Sequence, residues 1–300
     1  SGVATTGAGG GGSDGLPAAT VETAWPINRP LIAHRVVQAG IMLTLMWKWS
    51  FFVMASRVYQ EIPLADSFFP SVLQSVGTVR LAFLGCIFAI GLNIVTGNRR
   101  LQKACCCVTF VGTAVLCLHQ ASYNDMTFVT AWWASLWTLW FVHRDWNRHP
   151  AALLDRAALL GRMMLSVILL GGAAGKWTGE YWSGEVLYDI YFRDRDFWMF
   201  NLLRGNFDAD QLHGIATWYS RVVIVVETLG GLGLWLLPAR WSGIIGILIS
   251  ASIAVFSNFY LFSVVSSMIA LAAIGLLVPG ESQAINTERR SKPKMDQNGP

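Results

Sequence analysis

The sequence predicts an all-α polytopic membrane helix bundle, with about eight transmembrane helices and one further helix lying in the outward interface. Three observations predict it. Of 300 residues, 54% are hydrophobic and only 13% are charged, about half the charge of an ordinary soluble domain at roughly 25%. The apolar residues collect in runs close to the length that crosses a bilayer, about 20 residues. The basic residues fall in alternate loops, as they do when one side of a membrane is cytoplasmic. Fourteen Trp suit a chain with many water–lipid boundaries, where indole rings settle.

Taken in order, residues 1–30 read as a flexible cytoplasmic tail, rich in glycine through GAGGGGSDG. Ser1 stands where Met is expected, which implies processing, trimming or an incomplete start. No basic segment leads into an apolar run, so no cleavable signal peptide is expected. The bundle occupies residues 31–280. Its spans are expected at 36–56, 76–95, 104–121, 128–142, 157–175, 218–237, 242–256 and 260–278. The last two are separated only at Ser257–Asn258, and two helices with a tight turn are expected there rather than one kinked helix. Helices are the default because a backbone in lipid must satisfy its own hydrogen bonds. Residues 281–300 form a second basic cytoplasmic tail.

The loops orient the bundle. Arg29 and Arg35, then Arg99, Arg100 and Lys103, then Arg144, Arg148 and Arg156, then Arg240, and finally Arg289, Arg290, Lys292 and Lys294 share one side if there are eight spans. That side is cytoplasmic and carries both termini. The loop 176–217 faces outward, with acids including Glu180, Glu185, Asp189 and Asp194. Within it, the run 186–204 mixes aromatics with RDRD, and a helix in the interface plane is expected. The net charge of +4 forms no aromatic-interleaved basic stripe, so nucleic acid is not expected as a partner. Cys86, Cys105, Cys106, Cys107 and Cys117 lie in or beside apolar runs without metal-ligand spacing. They read as membrane thiols, with palmitoylation of Cys105–Cys107 as the sharper alternative. The five His are scattered, and no metal site is expected.

Ionisable residues inside spans are functional candidates by default. Lys48 lies about 18 Å along the first span, at 1.5 Å per residue, and either snorkels outward or points into the bundle. Glu227 sits mid-span in VVIVVETLGGLG and must pair, accept hydrogen bonds or hold a proton. The glycines after it admit a neighbouring helix closely. His119, Gln120, Tyr123, Asn124 and Asp125 form either a polar turn or the wall of an outward pocket. Lys176 ends the fifth span. Glu180 can pair with it if the helix continues, and Trp177, Tyr181 and Trp182 form an aromatic collar. A lysine in such a collar is either a base or a boundary marker.

GGAAGKWTGEYWSGE at 171–185 and VETLGGLGLWLLPAR at 226–240, followed by two spans, resemble the membrane domain of DoxX-like proteins and the HTTM family, which includes the vitamin K-dependent gamma-carboxylase. IPLADSFFPS and HQASYNDMTFVTAWWASLW are similar to HTTM-type chains. The resemblance covers most of residues 30–278. It implies that Lys176 is the base acting on a quinone-type ligand; Glu227 would then be its electrostatic partner or a proton relay. VFSNFYLF lacks the His that the carboxylase pattern carries, and no large extracellular domain follows. Carboxylation of a protein substrate is therefore not expected.

Three functions follow. The first is an outward pocket that binds a quinone or isoprenoid-type lipid for redox or proton-transfer chemistry, in a quinone-linked oxidoreductase or carboxylase-like enzyme. Lys176 and Glu227 would be catalytic there. Lys48, His119, Asn124, Asp125, Trp177, Glu180 and Trp182 would line it. The second is a non-enzymatic subunit or scaffold for a membrane or extracytoplasmic protein partner. The third is a small-solute transporter, which a Lys48–Glu227 pair would favour.

Overall fold

The computed structural model describes residues 28–61, 68–123, 125–256 and 261–279. Among the described residues it holds twelve α-helices: α1 Arg29–Trp47, α2 Trp49–Glu61, α3 Val76–Val95, α4 Arg99–Leu118, α5 Met126–Val142, α6 Pro150–Lys176, α7 Gly179–Trp182, α8 Glu185–Leu187, α9 Trp198–Asn206, α10 Ala209–Leu236, α11 Ala239–Phe256 and α12 Phe262–Leu277. The all-α expectation is met. The expected tails at 1–30 and 281–300 lie almost wholly outside the described residues.

Five helices (α3, α4, α6, α10 and α11) are long and apolar enough to cross a membrane. A sixth crossing results if α1 and α2 count as one span, bent by 44°. The expected first span is therefore not straight: it breaks at Lys48, whose backbone N–H caps α1 by donating to the Leu45 and Met46 carbonyls. The expected fourth and eighth spans fall on α5 and α12, which at 17 and 16 residues are shorter than a full crossing. Among the described residues up to six crossings thus meet the length requirement, and the other two of the expected eight fall on short apolar helices. Many large side chains on the long helices point away from the protein: Leu81, Phe88 and Val95 of α3 and Leu236 of α10 are each at least 74% exposed. Apolar surface of that extent needs a lipid surrounding, and the chain is a multi-pass helical membrane protein.

The α12 helix occupies the middle of the bundle, packed on α1, α5, α6 and α11. Its apolar residues run all round its circumference, which suits a helix without a solvent face. Gly243 near the start of α11 and Gly275 near the end of α12 let these helices cross closely. A Cβ on Gly275 would lie 2.3 Å from the Ala239 carbonyl oxygen, and one on Gly243 would lie 2.8 Å from the Ala272 carbonyl oxygen. Early α11 therefore meets late α12, and the two form an antiparallel hairpin as expected, with Ser257 and Asn258 outside the described residues. On the other side, α6 packs on α10, and α3, α4 and α5 pack in sequence order. Trp137, fully buried, ties α5 to α6 by donating its indole N–H to the Ala157 carbonyl at 3.0 Å.

The segment 186–204, expected as one helix in the outward interface, is not one continuous helix. The α8 helix runs into a single π-turn at Tyr188–Phe192, the RDRD run forms a bend, and α9 follows. Arg204 on α9 donates to the carbonyls of Phe192 at 2.9 Å and Arg195 at 2.7 Å, which folds the segment back on itself. Phe192, Phe200, Leu212 and Ala216 then bury a small core of their own. A continuous helix would have left those aromatics exposed. The five cysteines are free thiols; Cys105 and Cys106 are buried and Cys107 is exposed, so the triplet does not present one accessible face.

Candidate functional site

Lys176 is the last residue of α6 and Glu227 lies mid-way along α10. The lysine Nζ donates to both carboxylate oxygens at 2.6 Å. Glu227 is only 8% exposed. Gly172, one turn before Lys176, makes room for the pair: a Cβ there would sit 3.4 Å from Glu227 Oε2 and 3.5 Å from the lysine Nζ. The glycines after Glu227 hold its helix against two neighbours, since a Cβ on Gly230 would lie 2.6 Å from Ile249 Cδ1 and one on Gly231 2.7 Å from Leu170 Cγ.

The pair forms part of the wall of a cavity of about 280 Å³. One side is the α10 face Tyr219, Val222, Val223, Val226 and Glu227. The other is the α11 face Ile249, Ser252, Ile253 and Phe256. Tyr181, Leu187, Tyr191 and Phe200, from the α6–α10 connection, also line it. That segment is fastened to α10. Thr217 Oγ1 donates to the Ser183 carbonyl at 2.6 Å, Ser220 Oγ donates to the Tyr181 carbonyl, and Gly184 takes a left-handed φ of 86°. A side chain at Gly184 would also strike the Thr217 backbone at 2.5 Å. Burial, and then the facing Glu227 carboxylate, hold the Tyr181 hydroxyl above its ordinary range, so it stays protonated.

Sequence reasoning named Lys176, Glu227 and, as part of the collar, Tyr181 for this place, and missed Tyr191, Tyr219 and the α11 face with Ser252. Residues 219, 222, 223, 226 and 227 follow the spacing of one helical face, as do 249, 252, 253 and 256. The signal was present, but nothing in the sequence says that these two faces oppose each other.

The other expected pocket residues lie elsewhere. Lys48 Nζ donates to Asp125 Oδ2 at 2.6 Å, forming a second ion pair away from the cavity lining. Lys48 therefore neither snorkels freely nor meets Glu227, and the pairing that would have favoured a transporter is not formed. Asp125 also caps α5, accepting from the Thr127 N–H at 2.9 Å. Burial works to raise the Asp125 pKa, but the hydrogen bonds from Lys48 and Thr127 outweigh it and hold the carboxyl below its usual range.

His119 is fully buried at the end of α4. Its Nδ1 accepts from the Ala121 N–H at 3.2 Å, so its Nε2 carries the proton that it donates to the Ser75 carbonyl at 2.9 Å. It fastens the α4 end to the start of α3, which is the polar-turn reading. Asn124 lies outside the described residues. Trp177 and Trp182 stack at 5.4 Å on the outer surface, and neither lines the cavity. Of the expected collar only Tyr181 does. Glu180 is exposed, because α6 ends at Lys176 and the chain turns before the two can pair. Among the described residues no group of three metal-ligating side chains forms. The chain matches no protein-family model, no curated protein and no solved structure.

Proposed function

We propose that this chain is a DoxX/HTTM-like membrane protein whose cavity between α10 and α11 binds the ring of a quinone or similar isoprenoid-type lipid. The observation that carries the reading is the Lys176–Glu227 pair in an otherwise apolar wall. An ammonium has three donors, and Lys176 uses two on Glu227. The third can donate to a ligand carbonyl oxygen, while the carboxylate oxygens retain lone pairs for a ligand hydroxyl. A quinone offers the first group and its reduced form the second. Val222, Val223, Val226, Ile249 and Ile253 supply the apolar contact that a ring requires. Lys176 serves as the base toward the bound hydroxyl once one of its ammonium protons has passed to Glu227, its electrostatic partner, which then holds that proton as a carboxylic acid. Eight crossings, with α5 and α12 as short inner spans, place both termini in the cytoplasm and the cavity in the outward half.

A second reading is favoured by the exposed aromatic and aliphatic rim of the outward segment, where Ile190, Trp198 and Leu202 are each more than half exposed. That rim would hold a partner protein and make the chain a scaffold.

The test is mass spectrometry of lipids that co-purify in mild detergent, for the unchanged chain, Lys176→Ala and the cavity-filling Ile253→Trp. A quinone enriched with the unchanged chain and lost from both variants supports the lipid site. No specific lipid in any sample moves the weight to the scaffold. Retention of the quinone in Ile253→Trp would place it outside this cavity.

A further inference from the structure

At the other end of α6, some 40 Å away by helix rise, the first turns of α4, the α5–α6 loop and the start of α1 line a second cavity of about 490 Å³. We propose that it binds a phosphoryl anion, either the headgroup of an acidic phospholipid or a free phosphate. Arg99, Lys103 and Arg144 line it against one carboxylate, Asp145. A concave surface with an excess of one sign focuses the field on its interior.

The Arg99 guanidinium is preorganised. Its Nη2 donates to the carbonyls of Val142 at 2.8 Å and Arg144 at 3.0 Å, and its plane lies 3.5 Å over the Trp146 ring. Its Nη1 is buried with no acceptor among the described residues. An unmet charged donor is costly, and a small turn of the guanidinium toward the cavity would bring it to an anionic oxygen there. Lys103 and Arg144 form no ion pair among the described residues, which leaves both charges available to the same ligand. Cations from the first turns of α4 and from the α5–α6 loop, two of them planar forks, suit a tetrahedral group with several oxygens better than a single carboxylate. The inference does not depend on the lipid cavity.

The test uses the full chain in detergent, with titration of short-chain phosphatidylglycerol, short-chain phosphatidylcholine and inorganic phosphate, read by native mass spectrometry and calorimetry. The variants are Lys103→Gln and Lys103→Gln/Arg144→Gln, which leave the Arg99 anchor intact. Phosphatidylglycerol is expected to bind and phosphatidylcholine not. Each cation removed should weaken binding about fivefold, and the double variant roughly 25-fold, from the attraction of one basic side chain to an acidic lipid surface. Inorganic phosphate that binds alone, with the same dependence on Lys103 and Arg144, assigns the site to free phosphate. Phosphatidylglycerol binding without it assigns the site to the headgroup. Equal binding of both lipids, no binding of either anion, or unchanged affinity in the variants overturns the proposal. Should the double variant fail to fold, the fivefold loss in Lys103→Gln decides.

Discussion

Lys176→Met tests the central ion pair most directly. The change keeps most of the side chain's length and removes the cation paired with Glu227, which is 8% exposed and held by α6 and α11 on either side. Breaking a buried pair costs about 3–5 kcal/mol. About 26% of the lysine side chain and 11% of the glutamate side chain stay accessible, so the lower end, roughly 3 kcal/mol, applies. That is about two powers of ten in the folding equilibrium. Glu227→Gln costs less, because the amide oxygen still accepts from Lys176. Lys176→Met/Glu227→Leu removes both charges, and its stability should return to within about 1 kcal/mol of the unchanged chain. The assay is reversible unfolding in mixed micelles, with ellipticity followed for the unchanged chain, Lys176→Met, Glu227→Gln, Glu227→Leu and the double variant. A double variant whose loss equals the sum of Lys176→Met and Glu227→Leu would mean no coupling, and the reasoning from the 2.6 Å contacts would fail.

Gly275→Ala should destabilise by about 1–3 kcal/mol through overpacking, because the new methyl meets the Ala239 carbonyl rather than a movable side chain. Gly171→Ala, with nothing within 4 Å of the new atom, should be neutral or stabilising by up to about 1 kcal/mol; the same unfolding assay compares them. Asp125 has a carboxyl pKa below its ordinary 3.8 in the folded chain. Its stabilisation is therefore complete above 3.8 and is lost as the pH falls through the lower folded value. An acid-unfolding series should show this limb in the unchanged chain and not in Asp125→Asn. Burial lowers the His119 pKa from 6.5, so its contribution is complete above 6.5 and falls as the pH drops through the folded value. The difference in unfolding free energy between the unchanged chain and His119→Gln should shrink over that range; a constant difference from pH 8 to 5 would contradict the neutral tautomer.

The sequence by itself determined the helical class and the segments that enter the membrane, because a run of apolar residues in lipid has few alternatives to a helix. It also marked Lys176 and Glu227, since a charge inside an apolar run stands out without any knowledge of its partner. The tight α6–α10 crossing was foreshadowed by the glycines after Glu227. Only the tertiary structure decided which charge meets which. Lys48 found Asp125 across the α1–α5 contact, and Lys176 found Glu227 fifty-one residues away. Those choices depend on which helices are neighbours, and apolar faces in lipid carry little information about that. The same limit explains the split of 186–204 into short helices. Its fate was set by Arg204 reaching back to the Phe192 carbonyl and by aromatics that needed α10 to cover them, contacts that exist only once the chain is folded.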